Sequence, residues 1–186
     1  MTQTEALEVL AARRGDRVVI STMGSVGIWP TLSDTPLDFA YIPSSMGQGI
    51  SLGLGLALAT NRGVIAISGD GSLLMNLGCL ITVATHPAPL TIVLIDNGLY
   101  EVTGGQELPG ARRINYEHLA YSVGFRRVFM FADLEPWQRE IGDVFADEYG
   151  PTFVWLEVDE ERGKKTPSAP RPMGEQIRRL RTAIAM

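Results

Sequence analysis

Short, nearly continuous apolar runs alternate along this chain with longer stretches of helical spacing. Val18–Ser21, Asp38–Ile42, Val64–Ser68, Leu90–Ile95, Arg127–Phe131 and Thr152–Val158 are rich in β-branched and aromatic side chains. Apolar side chains at adjacent positions, rather than every second one, predict strands covered on both faces, as in a parallel sheet. Between them Thr2–Arg14, Gln48–Thr60, Ser72–Thr85, Asn115–Val123, Asp133–Tyr149 and Gly174–Met186 read as helices. Gly15 stops the first, and Asn115 and Asp133 stand where N-caps belong. Strand and helix in alternation predict an α/β fold, a doubly wound parallel sheet of about six strands. Glu160–Met173 (EERGKKTPSAPRPM) is polar and proline-containing, which predicts an extended segment.

A length of 186 residues suits one domain over residues 1–186. A net charge of −5 without a basic patch argues against a nucleic-acid partner. The densest basic cluster, Arg178, Arg179 and Arg181, reads as the solvated face of the last helix. Lys164, Lys165 and Arg171 read as part of a solvated tail. Cys79 is the only cysteine, so no disulfide forms within the chain, and its apolar helical setting predicts a core position. Met1–Leu10 carries acidic residues and no hydrophobic signal segment, and the apolar stretch Ile50–Ala59 is too short to span a bilayer. A cytoplasmic protein with no membrane partner is the expectation.

The chemistry concentrates in Val64–Gly105. The first apolar run there ends in Gly69-Asp70-Gly71-Ser72. Its glycines permit a tight turn and close approach of main-chain N–H groups to an anion, and Ser72 can cap the following helix. A carboxylate between them is a poor partner for a phosphate unless a divalent cation joins the two. The second run ends in Asp96-Asn97-Gly98-Leu99-Tyr100. As parallel strands joined by a helix, the two runs bring Asp70 and Asn97 to one crevice as hard oxygen ligands for magnesium.

GDGS, followed 27 residues after Asp70 by Asn97, resembles the cofactor motif of thiamine diphosphate-dependent enzymes. The resemblance implies that Asp70, Asn97 and the Leu99 carbonyl hold the Mg²⁺ that carries the diphosphate. It places Gly69, Gly71, Ser72, Gly98 and Tyr100 around that diphosphate. It also assigns Thr22, Gly24 and Ser25, in the loop after the first strand, to the same group. SSMGQGISLGLGLALA resembles the family's segment for the aminopyrimidine end. There Met46 would prop the cofactor in its bent form, beside the Ser44 carbonyl and Ser45. One departure stands out: the family motif often ends in two asparagines, and this chain has Asp96 at the first of them. The ligand is kept, and a negative charge is added beside it.

Family members activate the cofactor with a glutamate from a separate pyrimidine-binding domain, and nothing in this sequence resembles that domain. The resemblance, closest to sulfopyruvate decarboxylase β subunits and phosphonopyruvate decarboxylases, therefore implies a diphosphate-binding (PP) domain standing alone. The function it implies is the cofactor-binding subunit of a two-subunit 2-oxo acid decarboxylase acting on a small anionic substrate. The glycines and apolar residues of Gln48–Thr60 predict a close contact with another backbone and hence an oligomer. A thiamine diphosphate carboligase or oxidoreductase subunit, and a non-catalytic cofactor-binding domain, are the alternatives. A nucleotide-binding dehydrogenase domain fits less well, because Gly69-Asp70-Gly71 lacks the third glycine of GxGxxG. His118, on a helix with apolar neighbours, reads as structural.

Overall fold

The apolar runs pair side by side in the computed structural model, which describes residues 1–41, 46–60, 62–146, 149–163 and 168–185. The strands are β1 (Val18–Thr22), β2 (Asp38–Tyr41), β3 (Val64–Gly69), β4 (Leu90–Asp96), β7 (Arg127–Phe131) and β8 (Thr152–Glu157). They form one sheet in the order β2-β1-β3-β4-β8-β7, with every neighbouring pair parallel. A second, two-stranded sheet is the hairpin of β5 (Leu99–Tyr100) and β6 (Gln106–Glu107).

Helices cover both faces, which is why the central strands tolerate no polar alternation. α1 (Gln3–Arg13), α2 (Ser25–Leu32) and α7 (Leu134–Val144) bury one face, where Leu7, Leu10, Trp29 and Trp137 meet Val19, Ile65, Ile67 and Val154. The other face packs against α3 (Gln48–Thr60), α4 (Asp70–Met75), α5 (Cys79–Thr85), α6 (Tyr116–Val123) and α8 (Met173–Ile184). Ile50, Leu54 and Leu80 sit there on Ile20, Ile92 and Phe153, with Cys79 in the same core. The switch of faces follows from right-handed crossovers, because the chain steps left from β1 to β2 and from β7 to β8, and right at the steps between.

Thr2 closes a capping box with Glu5, and Asn115 caps α6 through the His118 N–H at 2.7 Å, as the residue types dictate. Three expectations are corrected. The predicted helix Ser72–Thr85 is two helices, and it begins at Asp70 rather than after a Ser72 cap. Ser72 Oγ accepts the Gly47 N–H at 2.8 Å instead, and Asn76 Nδ2 donates to the Gly47 carbonyl at 3.2 Å, which holds Asn76 out of helical geometry. The helix expected to reach Tyr149 stops at Val144, and Asp133 makes no side-chain capping bond. The ring of its next residue, Phe145, lies beneath the Arg17 guanidinium at 4.3 Å.

α2 was not among the predicted helices, and it holds Gly27 and Pro30 within its length. Burial of Trp29 and its indole bond to Asp38 at 2.9 Å hold the helix. The third correction concerns Gly49 and Gly53 of α3, which meet side chains of their own sheet rather than another backbone. A Cβ on Gly49 would lie 2.5 Å from Thr22 Cγ2, and one on Gly53 3.0 Å from Leu90 Cδ1. Gly55 faces open space.

In the polar tail, Arg171 forms a bidentate pair with Asp34 at 2.7 and 2.6 Å, and Arg179 reaches the same carboxylate at 3.3 Å. Neither is simply solvated, whereas Arg178 and Arg181 are exposed. Lys164 and Lys165 lie outside the described residues. No helix among the described residues is long and apolar enough to cross a membrane.

Candidate functional site

The strand order reverses between β1 and β3, and loops leaving the carboxyl ends of such strands frame the crevice where open α/β sheets bind ligands. A cleft of ≈ 120 Å³ lies there. Thr22–Ser25 forms one wall, Gly69–Ser72 the floor, and Asn97 with Leu99–Thr103 the opposite wall. Met46 and Met75 also line it, with 54% and 49% of their surface exposed.

Asp70 opens α4 and is 2% exposed. Its Oδ1 accepts the Gly71 N–H and its Oδ2 the Gly98 N–H, both at 2.7 Å. Gly98 can present that N–H because it holds φ +73°, a conformation that favours glycine. Asn97, 8% exposed, folds its side chain onto the Leu99 N–H, Oδ1 accepting at 3.0 Å. Leu108 N–H donates to the Gly98 carbonyl at 2.9 Å, which puts Leu99 at a non-hydrogen-bonded position of the hairpin. The Leu99 carbonyl therefore points away from β6.

Carboxylate, amide and carbonyl oxygens are the donors that Mg²⁺ takes. Asp70, Asn97 and Leu99 bring such oxygens to this cleft. Burial first, and then the Asp96 carboxyl within hydrogen-bonding reach, push Asp70 up to about 8. A buried carboxylate without a cation behaves this way, and a divalent ion reverses the effect. The residues present fit the metal.

Most other sequence-predicted residues line the same cleft, though several hydroxyls are engaged within the protein. Thr22 Oγ1 donates to the Ile67 carbonyl at 2.8 Å, and Ser25 Oγ donates to the Thr22 carbonyl at 2.6 Å. These bonds shape the loop around Gly24. A Cβ on Gly69 would meet nothing within 4 Å, so its main chain is open to a ligand. Tyr100 packs its ring on Gly71, where a Cβ would lie 2.8 Å away. Gly98 does not line the cleft and acts through Asp70. Ser44 and Ser45 lie outside the described residues. His118 is exposed on α6 and is not among the residues lining the cleft.

Three further residues shape the site. Glu101 lies with Oε2 2.3 Å from where a Gly24 Cβ would be, a contact created by the hairpin and invisible in the sequence. Met75 enters because α4 ends there. Asp96 stands beside Asp70 because β3 and β4 pair Gly69 with Ile95; its charge was readable in the sequence, its contact was not.

This arrangement of sheet and helices is shared with benzoylformate decarboxylase from Polynucleobacter necessarius, at a TM-score of 0.74 and 18% identity over 88% of this chain and 34% of that one. The family model for the thiamine pyrophosphate enzyme C-terminal TPP binding domain matches residues 18–155. The chain belongs to this family. It is 40% identical over 152 residues to the sulfopyruvate decarboxylase subunit beta of Methanothermobacter thermautotrophicus, covering 78% of this chain and 80% of that subunit. It is 37% identical over 160 residues to the phosphonopyruvate decarboxylase of Streptomyces viridochromogenes, covering 84% of this chain. Of that longer enzyme it spans 40% of the length.

Proposed function

We propose that this chain is the Mg²⁺- and thiamine diphosphate-binding subunit of a two-subunit 2-oxo acid decarboxylase. It acts in the cytoplasm on a small anionic 2-oxo acid, and a separate pyrimidine-binding subunit completes the site. The observation that carries the reading is the meeting of Asp70, Asn97 and Leu99 at one cleft, in a chain that covers 80% of a sulfopyruvate decarboxylase β subunit.

In this reading the Asp70 and Asn97 side chains and the Leu99 carbonyl hold Mg²⁺. The open main chain at Gly69 faces the diphosphate, with Ser72 beside it, while the Gly71 N–H holds Asp70 Oδ1 in place. When bound, thiamine diphosphate would supply the nucleophilic carbon and the electron sink that decarboxylation of a 2-oxo acid needs. This chain's residues position that carbon. Met46, at the exposed rim, supports the bent cofactor, and the turn Glu101–Thr103 walls one side of the cleft against water. The glutamate that activates the pyrimidine comes from the partner.

Calorimetric titration of thiamine diphosphate into the chain with its partner present, in Mg²⁺ and then in EDTA, tests the reading. Metal-dependent binding is the expected result, together with carbon dioxide release from sulfopyruvate or phosphonopyruvate. Asp70→Ala abolishes both with the fold intact; undiminished binding by that variant overturns the site assignment.

A further inference from the structure

We propose that Asp96 is a fourth member of the cation site, and that with Asp70 it lets this chain take up a divalent ion before any diphosphate is present. The inference rests on Asp70 and Asn97 being metal ligands, as read above. Its starting point is strand register. β3 and β4 run parallel with Gly69 opposite Ile95, so the residues that follow each, Asp70 at the start of α4 and Asp96 at the end of β4, stand side by side. Their carboxyl groups lie within hydrogen-bonding reach of one another. Trp155 donates its indole N–H to Asp96 Oδ2 at 2.8 Å, which fixes the carboxyl in place without neutralising it.

Among the described residues no cation pairs with the Asp96 carboxyl, although Arg112 lies close enough to feel it. Glu157 is opposite Asp96 across β4 and β8 and adds a further carboxylate. Arg112, whose charge Asp96 feels, is engaged on the exposed surface with Glu160 at 2.6 Å. Tyr116, also near, is neutral and held so by burial and by these two aspartates.

Charge count tunes the affinity of an oxygen site for a divalent ion. With Asp70 as the sole carboxylate, beside an amide and a carbonyl, the site would offer one negative charge to an ion carrying two positive ones. The ion would then depend on the diphosphate to complete its neutralisation. With both carboxyl groups ionised around the bound ion, Asp96 brings the protein's own contribution to two and removes that dependence. An asparagine at this position, as the family motif often has, would offer an oxygen and no charge.

The test is direct Mn²⁺ binding to the full chain, stripped of metal and free of thiamine diphosphate, with free Mn²⁺ counted by electron paramagnetic resonance. The wild-type chain should bind one ion. Asp96→Asn should weaken that binding at least tenfold, while its Mn²⁺ affinity with thiamine diphosphate present stays within a few-fold of wild type. Asp96→Asn is isosteric and keeps an acceptor for Trp155, and a cooperative melt in EDTA confirms its fold. A wild-type chain that takes no Mn²⁺ alone overturns the inference whatever any variant does. So does equal Mn²⁺ affinity in wild type and Asp96→Asn. Asp70→Ala binding Mn²⁺ as well as wild type would instead remove the ligand reading beneath it, so the two failures are told apart.

Discussion

Gln176 pairs its side-chain amide with the main chain of Ala40, accepting the Ala40 N–H on Oε1 at 2.8 Å and donating Nε2–H to the Ala40 carbonyl at 3.4 Å. Ala40 belongs to β2, an edge of the six-stranded sheet, where main-chain groups otherwise invite pairing with another chain. The amide imitates one residue of a neighbouring strand, so α8 seals the edge beneath it. Gln176→Leu leaves both Ala40 groups buried and unsatisfied, a loss of about 1–3 kcal/mol. Urea unfolding should show it, and hydrogen exchange at the Ala40 amide should accelerate more than at Val19 in the sheet interior. Unchanged exchange at Ala40 would mean that α8 does not protect this edge.

Two glycines near the cleft separate folding from binding. A Cβ on Gly47 would stand 2.3 Å from Asn76 Cβ, and Gly47 holds φ +84°. Gly47→Ala therefore strains the backbone and separates the loop from Ser72 and Asn76, costing about 2 kcal/mol or more. A Cβ on Gly24 would stand equally close to Glu101 Oε2, the far end of a flexible side chain. Gly24→Ala should change the unfolding midpoint little, because Glu101 can swing, yet push that carboxylate into the cleft and weaken thiamine diphosphate binding about tenfold or more. Calorimetry beside urea unfolding separates the two, and a Gly24→Ala chain that binds normally would show that Glu101 has room elsewhere.

What could be read from the sequence was what local physics decides. Strands such as Val64–Gly69 and Leu90–Asp96 declare themselves because a sheet covered on both faces leaves no place for polar side chains. That Asp70 and Asn97 would meet at one cleft was legible because each follows an apolar run that reads as a parallel strand. The break at Asn76 was not, because its cause is Gly47, 29 residues earlier in the chain. The helix Ser25–Leu32 was not read either, since burial of Trp29 outweighs the local dislike of Gly27 and Pro30 for helix. Glu101 reaches Gly24 only after the Leu99–Glu107 hairpin has folded. Contacts between distant segments decide such details, and no window of sequence contains them.

A buried ion pair ties α1 to the start of β2. Arg14 Nη1 donates to Asp38 Oδ1 at 2.6 Å, with side-chain exposures of 7% and 11%. Asp38 also accepts the Trp29 indole at 2.9 Å, and the Ser33 hydroxyl and Thr35 N–H at 2.7 Å each. Burial lowers the Arg14 pKa and the Asp38 charge opposes that shift. Asp38→Ala leaves a guanidinium buried without its counter-charge, which costs about 3–5 kcal/mol. Replacing both, as Arg14→Met with Asp38→Leu, should cost less than the sum of the single changes. Additive losses in such a cycle would show that the two groups act independently.

Alkaline pH should weaken the fold through Cys79. Its side chain is 5% exposed in the core beneath α5, and burial pushes the thiol from 9.0 up to about 11. Between those values an unfolded chain releases the thiol proton while the folded chain keeps it. The unfolded state then binds fewer protons, so stability falls as pH rises from about 9 to about 11. Tyr116 shifts in the same direction, by burial and then by the charges of Asp96 and Asp70, and extends the loss to higher pH. Cys79→Ala removes the first contribution and leaves the second. Urea unfolding at pH 8, 9, 10 and 11 should therefore show a shallower decline for Cys79→Ala than for wild type. The same burial makes the native thiol slow toward thiol reagents, since the thiolate is the nucleophile. Labelling of the wild-type chain should follow its unfolding rather than the pH of the buffer. Parallel stability curves together with rapid labelling of the native chain at pH 8 would place Cys79 in a solvated site instead.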